Sequence, residues 1–147
     1  MELMRIPVDD YTTPNPITVD ELTPISQVLT LMDTHDVRHV PVLRGLRPVG
    51  ILSQRDLNLV RNLSGVETLR ARDVMISEPY VVHSGAPLGD VVFHMSEHKI
   101  GSAIVVGDDD RIDGIFTLTD ALNALIEVLR GDVLTEPSSS YDESPTL

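Results

Sequence analysis

The sequence predicts an α+β fold in which two β-α-β-β-α repeats pack together as one pseudo-twofold module. The first observation is an internal repeat, because residues 16–43 align with residues 79–106 at a constant shift of 63 positions. The second is that each repeat carries one stretch of apolar residues at helical spacing, followed by two short apolar runs. The third is size. A unit of roughly 60 residues buries too little apolar surface to be stable alone, which favours packing of the two repeats against each other.

Each repeat is predicted to open with a short strand and a helix. The strands are expected at 17–19 and 80–82, and the prolines that follow, Pro24 and Pro87, suit the first turn of a helix. The helices are identified by apolar residues three or four positions apart, which are Ile25, Val28, Leu29 and Met32 in the first repeat and Leu88, Val91, Val92 and Met95 in the second.

Two strands and a second helix are predicted to complete each repeat. The strands are expected at 40–43 and 48–52, then at 103–106 and 112–116, and the closing helices at 53–63 and 117–130. We therefore assign residues 1–70 to the first repeat and 71–130 to the second. Residues 131–147 contain two prolines, three consecutive serines and four acids with no base, a composition that predicts a disordered acidic tail.

Composition excludes several classes of function. No apolar run approaches the length of a membrane span, and the N-terminus lacks the pattern of a signal peptide, so we expect a cytoplasmic protein without membrane contact. The net charge of −12 argues against binding to nucleic acid, which is itself a polyanion. The absence of cysteine excludes disulfides, thiolate metal sites and a cysteine nucleophile.

Positive charge is concentrated in one part of this acidic chain. Seven of the eleven basic residues lie between positions 38 and 72, where the only acids are Asp56 and Glu67. Two interpretations are open at this point, a solvated surface or a site for a small anion.

A short motif occurs at the same place in both repeats. An apolar strand ends in a hydroxyl residue, Ser53 or Thr117, and an acid, Asp56 or Asp120, follows three positions later where a helix begins. A single copy of this pattern is explained by helix capping and needs no ligand. A carboxylate at that position can also accept hydrogen bonds from the hydroxyls of a ribose, and free N–H groups at a helix start suit a phosphate. Two matched copies favour ligand binding.

The complete pattern resembles a tandem pair of cystathionine-β-synthase (CBS) domains. The resemblance rests on the duplicated motif, on the segment Val37–Val42 upstream of its first copy and on Asp73–Met75 at the start of the second repeat, and it covers residues 9–130. It implies a non-catalytic regulatory sensor that binds AMP, ADP or ATP, with S-adenosylmethionine or NAD as alternative ligands, and that needs no cofactor. It also implies a homodimer that regulates an unidentified protein. The alternative function is a structural homodimerisation module whose sites have degenerated.

The resemblance also implies two ligand sites. The first consists of Arg38, His39, Ser53, Arg55 and Asp56, with Ile76, Ser77 and Tyr80 beside the base. The second consists of Thr117, Thr119 and Asp120, with Thr13, Pro14 and Ile17. In this family the acid binds the ribose and the basic residues bind phosphate. Because Gly101 and Ser102 replace Arg38 and His39 in the second repeat, we expect the first site to bind nucleotides more tightly.

Metal binding and catalysis are disfavoured. His94 and His98 are four residues apart on a predicted helix and could share a metal, but no third ligand is evident, so we predict no metal site. Ser53 has no recognisable histidine base, Asp56 and Asp120 belong to different repeats, and no phosphate loop of the Walker type occurs. We therefore predict that the chain is not an enzyme.

Overall fold

Residues 5–131 are described by a computed structural model, so almost all of the predicted tail lies outside the described residues. In the first half the elements are β1 (Thr13–Pro14), β2 (Val19–Asp20), α1 (Ile25–His35), β3 (His39–Arg44), β4 (Arg47–Ser53) and α2 (Gln54–Val60). In the second half they are α3 (Ala71–Val74), β5 (Ile76–Ser77), β6 (Val81–His83), α4 (Leu88–His98), β7 (Ser102–Val106), β8 (Ile112–Thr117) and α5 (Leu118–Leu129). Short 3-10 turns lie at Val8–Tyr11 and Val66–Thr68.

The strands form two four-stranded sheets of the same design. Their orders are β2-β3-β4-β5 and β6-β7-β8-β1. In each sheet the first two strands are parallel, and the remaining neighbours are antiparallel. The predicted α+β class and its duplicated β-α-β-β-α unit are confirmed.

Each sheet takes its last strand from the other half of the chain. Strand β5 lies near the start of the second repeat but pairs with β4 of the first, and β1 lies near the start of the first repeat but pairs with β8 of the second. The sequence analysis did not predict these two-residue edge strands. The predicted opening strands at 17–19 and 80–82 correspond to β2 and β6, which begin one or two residues later.

Helices α1 and α4 begin and end at matched positions. Each follows a proline, Pro24 or Pro87, whose extended backbone suits the residue before a helix. Each ends at a residue in the left-handed region, Asp36 or Lys99, whose N–H bonds back to the carbonyl of Met32 or Met95. Helix α2 is shorter than predicted. It ends at Val60, and the chain then continues towards the 3-10 turn at Val66–Thr68.

The apolar residues form one core per repeat and a third cluster between the repeats. The core of the second repeat includes Val8 from the start of the chain, and that of the first includes Ala71. Between the repeats, Ile51 packs with Ile104, Ile115 and Val106. Full burial of one such side chain contributes about 1.5–3 kcal/mol, so the exchanged segments and the shared cluster hold the two repeats together. Across residues 5–131, none of the helices has both the length and the apolar character that a membrane span requires.

Candidate functional site

The duplicated motif places each acid in the first turn of a helix, but the two acids have different partners. In both copies the hydroxyl caps the helix, since Ser53 Oγ accepts from the Asp56 N–H at 3.1 Å and Thr117 Oγ1 accepts from the Asp120 N–H at 3.4 Å. Only the second copy closes a capping box, in which Asp120 Oδ2 accepts from the Thr117 N–H at 2.9 Å. Helix capping therefore accounts for the carboxylate of Asp120 in the second repeat but not for that of Asp56 in the first.

The Asp56 carboxylate is the more available of the two. It is half-buried, and no described residue donates a hydrogen bond to it. Asp120 is only 8% exposed, and its carboxylate also accepts from the hydroxyls of Thr117 at 3.2 Å and Thr13 at 3.4 Å. A ligand hydroxyl can bond to Asp56 directly, whereas at Asp120 it competes with hydrogen bonds that are already made.

The motif glycines allow the exchanged edge strands to approach closely. A Cβ atom on Gly50 would collide with the Met75 side chain and lie 3.1 Å from the carbonyl oxygen of Ile76. A Cβ atom on Gly114 would collide with Thr12 and lie 2.7 Å from the carbonyl oxygen of Thr13. At Gly114 a second backbone leaves no room for a side chain, whereas at Gly50 the closest atoms belong to the Met75 side chain.

The exchange brings the residues expected beside the base next to the opposite motif. Ile76 and Ser77 pair with Ile51 and Gly50 of the first motif. Thr13 and Pro14 pair with Ile115 and Gly114 of the second. The sequence analysis had assigned these same segments to the same motifs. It had not predicted the edge strands β5 and β1 that bring them there.

His39 and Arg38 lie beside the first motif. His39 pairs with Ser53 across the β3-β4 hairpin, and the carbonyl of Arg38 accepts from the Gln54 N–H at 2.8 Å. The His39 ring reaches the second repeat, because its Nε2 atom would be 3.4 Å from a Cβ atom on Gly101. A Cβ atom on Gly101 would thus make an ordinary van der Waals contact with the imidazole.

Burial lowers the pKa of His39. The charge of Asp56 acts in the opposite direction, and Arg38 lowers this pKa further. In the free protein His39 therefore has a pKa below the ordinary histidine value of about 6.5. Because the folded state favours the neutral imidazole, His39 contributes stability that is present at higher pH. This stability is lost as the pH falls from the unfolded value towards the lower folded value.

Arg38 and Arg55 are the exposed cations of the first site. Arg55 lines a cleft of about 470 Å³ together with Lys99, Gly101 and Leu118 from the second repeat. These guanidinium groups have the chemistry that binds phosphate. Arg38 precedes the motif in sequence, and Arg55 lies within it.

A second cleft, of about 600 Å³, lies at Asp120. It is lined by the start of the chain and by one face of α5, namely Asp10, Tyr11, Thr12, Thr13, Pro14, Asp120, Asn123, Ile126, Glu127 and Arg130. Tyr11 donates a hydrogen bond to Glu127 Oε1 at 2.8 Å, and this bond, with burial, raises the pKa of Tyr11 to about 12. Sequence reasoning missed both residues. The sequence signal that could have identified Glu127 is its spacing from Asp120, because residues two helical turns apart lie on the same face of a helix.

Three predicted residues, Tyr80, Ile17 and Thr119, line neither of the two clefts. Tyr80 packs against the core of the second repeat, and its ring stacks on His94 with 4.1 Å between ring centres. Ile17 is half-buried ahead of β2, and Thr119 is exposed in the first turn of α5. Their contacts with a ligand stay predictions.

The histidines of α4 stack instead of converging on a cation. His94 stacks on His98 with 4.1 Å between ring centres. Among residues 5–131, no three side chains of metal-binding type lie close enough together to hold an ion.

Known proteins resemble this chain in both sequence and structure. The sequence model of the CBS domain matches residues 8–60 and 71–127. Inosine-5′-monophosphate dehydrogenase of Thermoplasma acidophilum is 27% identical over 105 residues, which are 71% of this chain. The chain spans 21% of the length of that enzyme.

Two solved structures share the fold over most of both chains. A proposed acetoin utilization protein (AcuB) of Vibrio cholerae is 31% identical, with a TM-score of 0.76 over 90% of this chain and 98% of its own. CBSX2, solved in complex with AMP, is 27% identical, with a TM-score of 0.71 over 84% of this chain and 98% of its own. Together with the exchanged sheets and the duplicated motif, these matches show that the chain belongs to the CBS domain family, as a tandem pair of CBS domains.

Proposed function

We propose that this CBS pair is a non-catalytic regulatory module that binds an adenine nucleotide or a related adenosyl ligand. The observation that carries the proposal is the Asp56 carboxylate, which has no donor among the described residues and lies at the start of α2. A carboxylate in this position can accept hydrogen bonds from two ribose hydroxyls. The exposed guanidinium groups of Arg38 and Arg55 supply positive charge for a phosphate.

The relatives support this function without determining the ligand. CBSX2 shares the fold and was solved with AMP bound. The dehydrogenase activity of the curated relative is not part of the proposal, because the match covers only a fifth of that enzyme. Ribose and adenine are common to AMP, ADP, ATP, S-adenosylmethionine and NAD, so all five are candidates. We further propose a cytoplasmic location and an as yet unidentified protein as the regulated partner.

Calorimetric titration with these five compounds tests the proposal. We expect saturable binding of at least one, accompanied by a higher melting temperature, since a ligand at a hundred times its Kd adds about 2.7 kcal/mol to the free energy of unfolding. Incubation with ATP should give no product. Failure of all five compounds to bind at millimolar concentration would contradict the proposed function.

A structural role as a homodimer is supported by the surface of α5. Four leucines, Leu118, Leu122, Leu125 and Leu129, are exposed at helical spacing along one side of this helix. Phe93 on α4 is also exposed. Apolar side chains grouped in this way are typical of an interface, and we propose a second copy of the chain as the partner.

Leu122→Asp should convert such a dimer to a monomer, because it places a charge within the apolar stripe. Sedimentation velocity measures the outcome. Leu59→Asp is the matched control, since Leu59 is 74% exposed on α2 whereas Leu122 is 57% exposed. A monomeric unsubstituted protein, or equal dissociation by both variants, would exclude this interface.

A further inference from the structure

The two proposed adenosine sites differ in charge. Comparison of matched positions in the two repeats shows the first site to be the more basic and the second the more acidic. The matched pairs are Arg38 and Gly101, His39 and Ser102, and Arg55 and Thr119. At each pair the second site lacks the basic group that the first site has.

The cleft at Asp120 has an acidic lining. Three carboxylates line it, from Asp10, Asp120 and Glu127, and Arg130 is the one cation among its described lining residues. The Asp120 side chain is almost fully buried. The Tyr11 hydroxyl donates to Glu127 Oε1, and this hydrogen bond raises the pKa of Tyr11, with burial and the charges of Glu127 and Asp10 as further causes.

The cations that line the first cleft lie across α5 from the cleft at Asp120. Arg55 and Lys99 line a cleft that includes Leu118 and Ala121 of the helix. Residues on a helix are separated by about 100° each, so Asp120 and Glu127 share one face of α5 while Leu118 and Ala121 lie on the other. The charges of Arg55 and Lys99 are therefore directed to a different cleft.

We infer that the cleft at Asp120 selects adenosyl compounds that carry no phosphate and are neutral or cationic, and that it discriminates against AMP, ADP and ATP. This inference rests on the proposed function, because it takes the cleft as an adenosine site. A phosphate brought among three carboxylates is repelled by them, and partial burial weakens the screening by water and salt. A sulfonium or ammonium group is attracted by the same charges. The two sites thus differ in ligand class, with phosphorylated nucleotides at Asp56 and phosphate-free ones at Asp120.

Titration of the full chain carrying Asp56→Ala isolates the second site. The probes are 5′-methylthioadenosine, which is neutral, S-adenosylmethionine, which is cationic, and AMP, all at low ionic strength. We expect the first two compounds to bind about tenfold or more tightly than AMP, as charge repulsion of about 1.4 kcal/mol would produce. Asp56→Asn, which preserves the shape of the side chain, serves as a second background if Asp56→Ala lowers the melting temperature.

Glu127→Gln tests the cause of the selectivity. Glutamine keeps an oxygen that accepts from Tyr11 but removes one negative charge. In the Asp56→Ala background we expect the preference for 5′-methylthioadenosine over AMP to narrow by about threefold or more. Glu97→Gln on α4 removes a similar charge from a residue that does not line the cleft, and the preference should persist.

The outcomes separate this inference from the proposed function. If the unsubstituted chain binds no adenosyl compound, the proposed function itself fails. If it binds AMP but Asp56→Ala binds none of the probes, or binds AMP as tightly as 5′-methylthioadenosine, only the selectivity of the second site is overturned. Equal effects of Glu127→Gln and Glu97→Gln would assign the selectivity to something other than the charge of the cleft.

Discussion

Replacement of Asp56 by alanine should weaken the binding of AMP or ATP by about ten- to a hundredfold, because hydrogen bonds to a charged acceptor are each worth about 1.5–3 kcal/mol. The same substitution should change the free energy of unfolding by no more than about 0.5 kcal/mol, as is usual where no internal contact is lost. The reason is that no described residue donates to the Asp56 carboxylate, so its hydrogen-bonding capacity is available to a ligand.

Asp120→Ala is the matched variant, and we expect it to lower stability more than it lowers nucleotide affinity. It removes the acceptor for the Thr117 N–H and for two hydroxyls, which should cost about 1–3 kcal/mol of stability because it leaves a partly buried donor without its bond. Binding of AMP or ATP should weaken by about threefold at most, since the second repeat lacks the cations that hold phosphate. Calorimetric titration and chemical denaturation measure the two quantities separately.

Equal losses of nucleotide affinity from both variants would contradict this assignment of roles. A larger loss from Asp120→Ala would show that the second repeat contains the main nucleotide site. A large loss of stability from Asp56→Ala would mean that its carboxylate is a structural group.

Gly114→Ala should destabilise the protein by about 1–3 kcal/mol, the usual cost of forcing extra volume into a packed region. The added methyl group would lie 2.7 Å from the backbone oxygen of Thr13, so β1 must move. Because β1 carries Thr13 and Pro14 into the second cleft, binding of a phosphate-free adenosyl ligand there should be lost together with the stability.

Gly50→Ala is the same change at the matched position, and it should cost about 1 kcal/mol or less. The closest atoms to its methyl group belong to the flexible Met75 side chain, which can rotate away, and the backbone oxygen of Ile76 is 3.1 Å distant. Gly101→Ala is a second control, because its nearest neighbour is His39 at an ordinary contact distance of 3.4 Å. Denaturation midpoints measure all three, and equal costs for Gly114→Ala and Gly50→Ala would contradict the model of backbone approach.

Much of the fold and part of the site could be predicted from sequence because both depend on local patterns. Apolar spacing predicted α1 and α4, and the hydroxyl and acid of the duplicated motif predicted the starts of α2 and α5. Repeat matching also identified the difference between Arg38 with His39 and Gly101 with Ser102, which underlies the expected dominance of the first site.

Only the tertiary structure shows how the two halves of the chain exchange strands. A strand of two residues, such as β1 or β5, has no periodicity that a sequence could reveal, and β1 pairs with a strand about a hundred residues away. The partial burial of His39 likewise depends on packing, because its ring lies against Gly101 of the other repeat. The acidic character of the second cleft arises when Tyr11 and Asp10 fold against Glu127, which lies 116 residues after Tyr11. The sequence alone thus determined the elements and the repeated motif, because these follow from interactions among near neighbours. The pairing of distant segments, and with it the charge and accessibility of each site, was decided by packing.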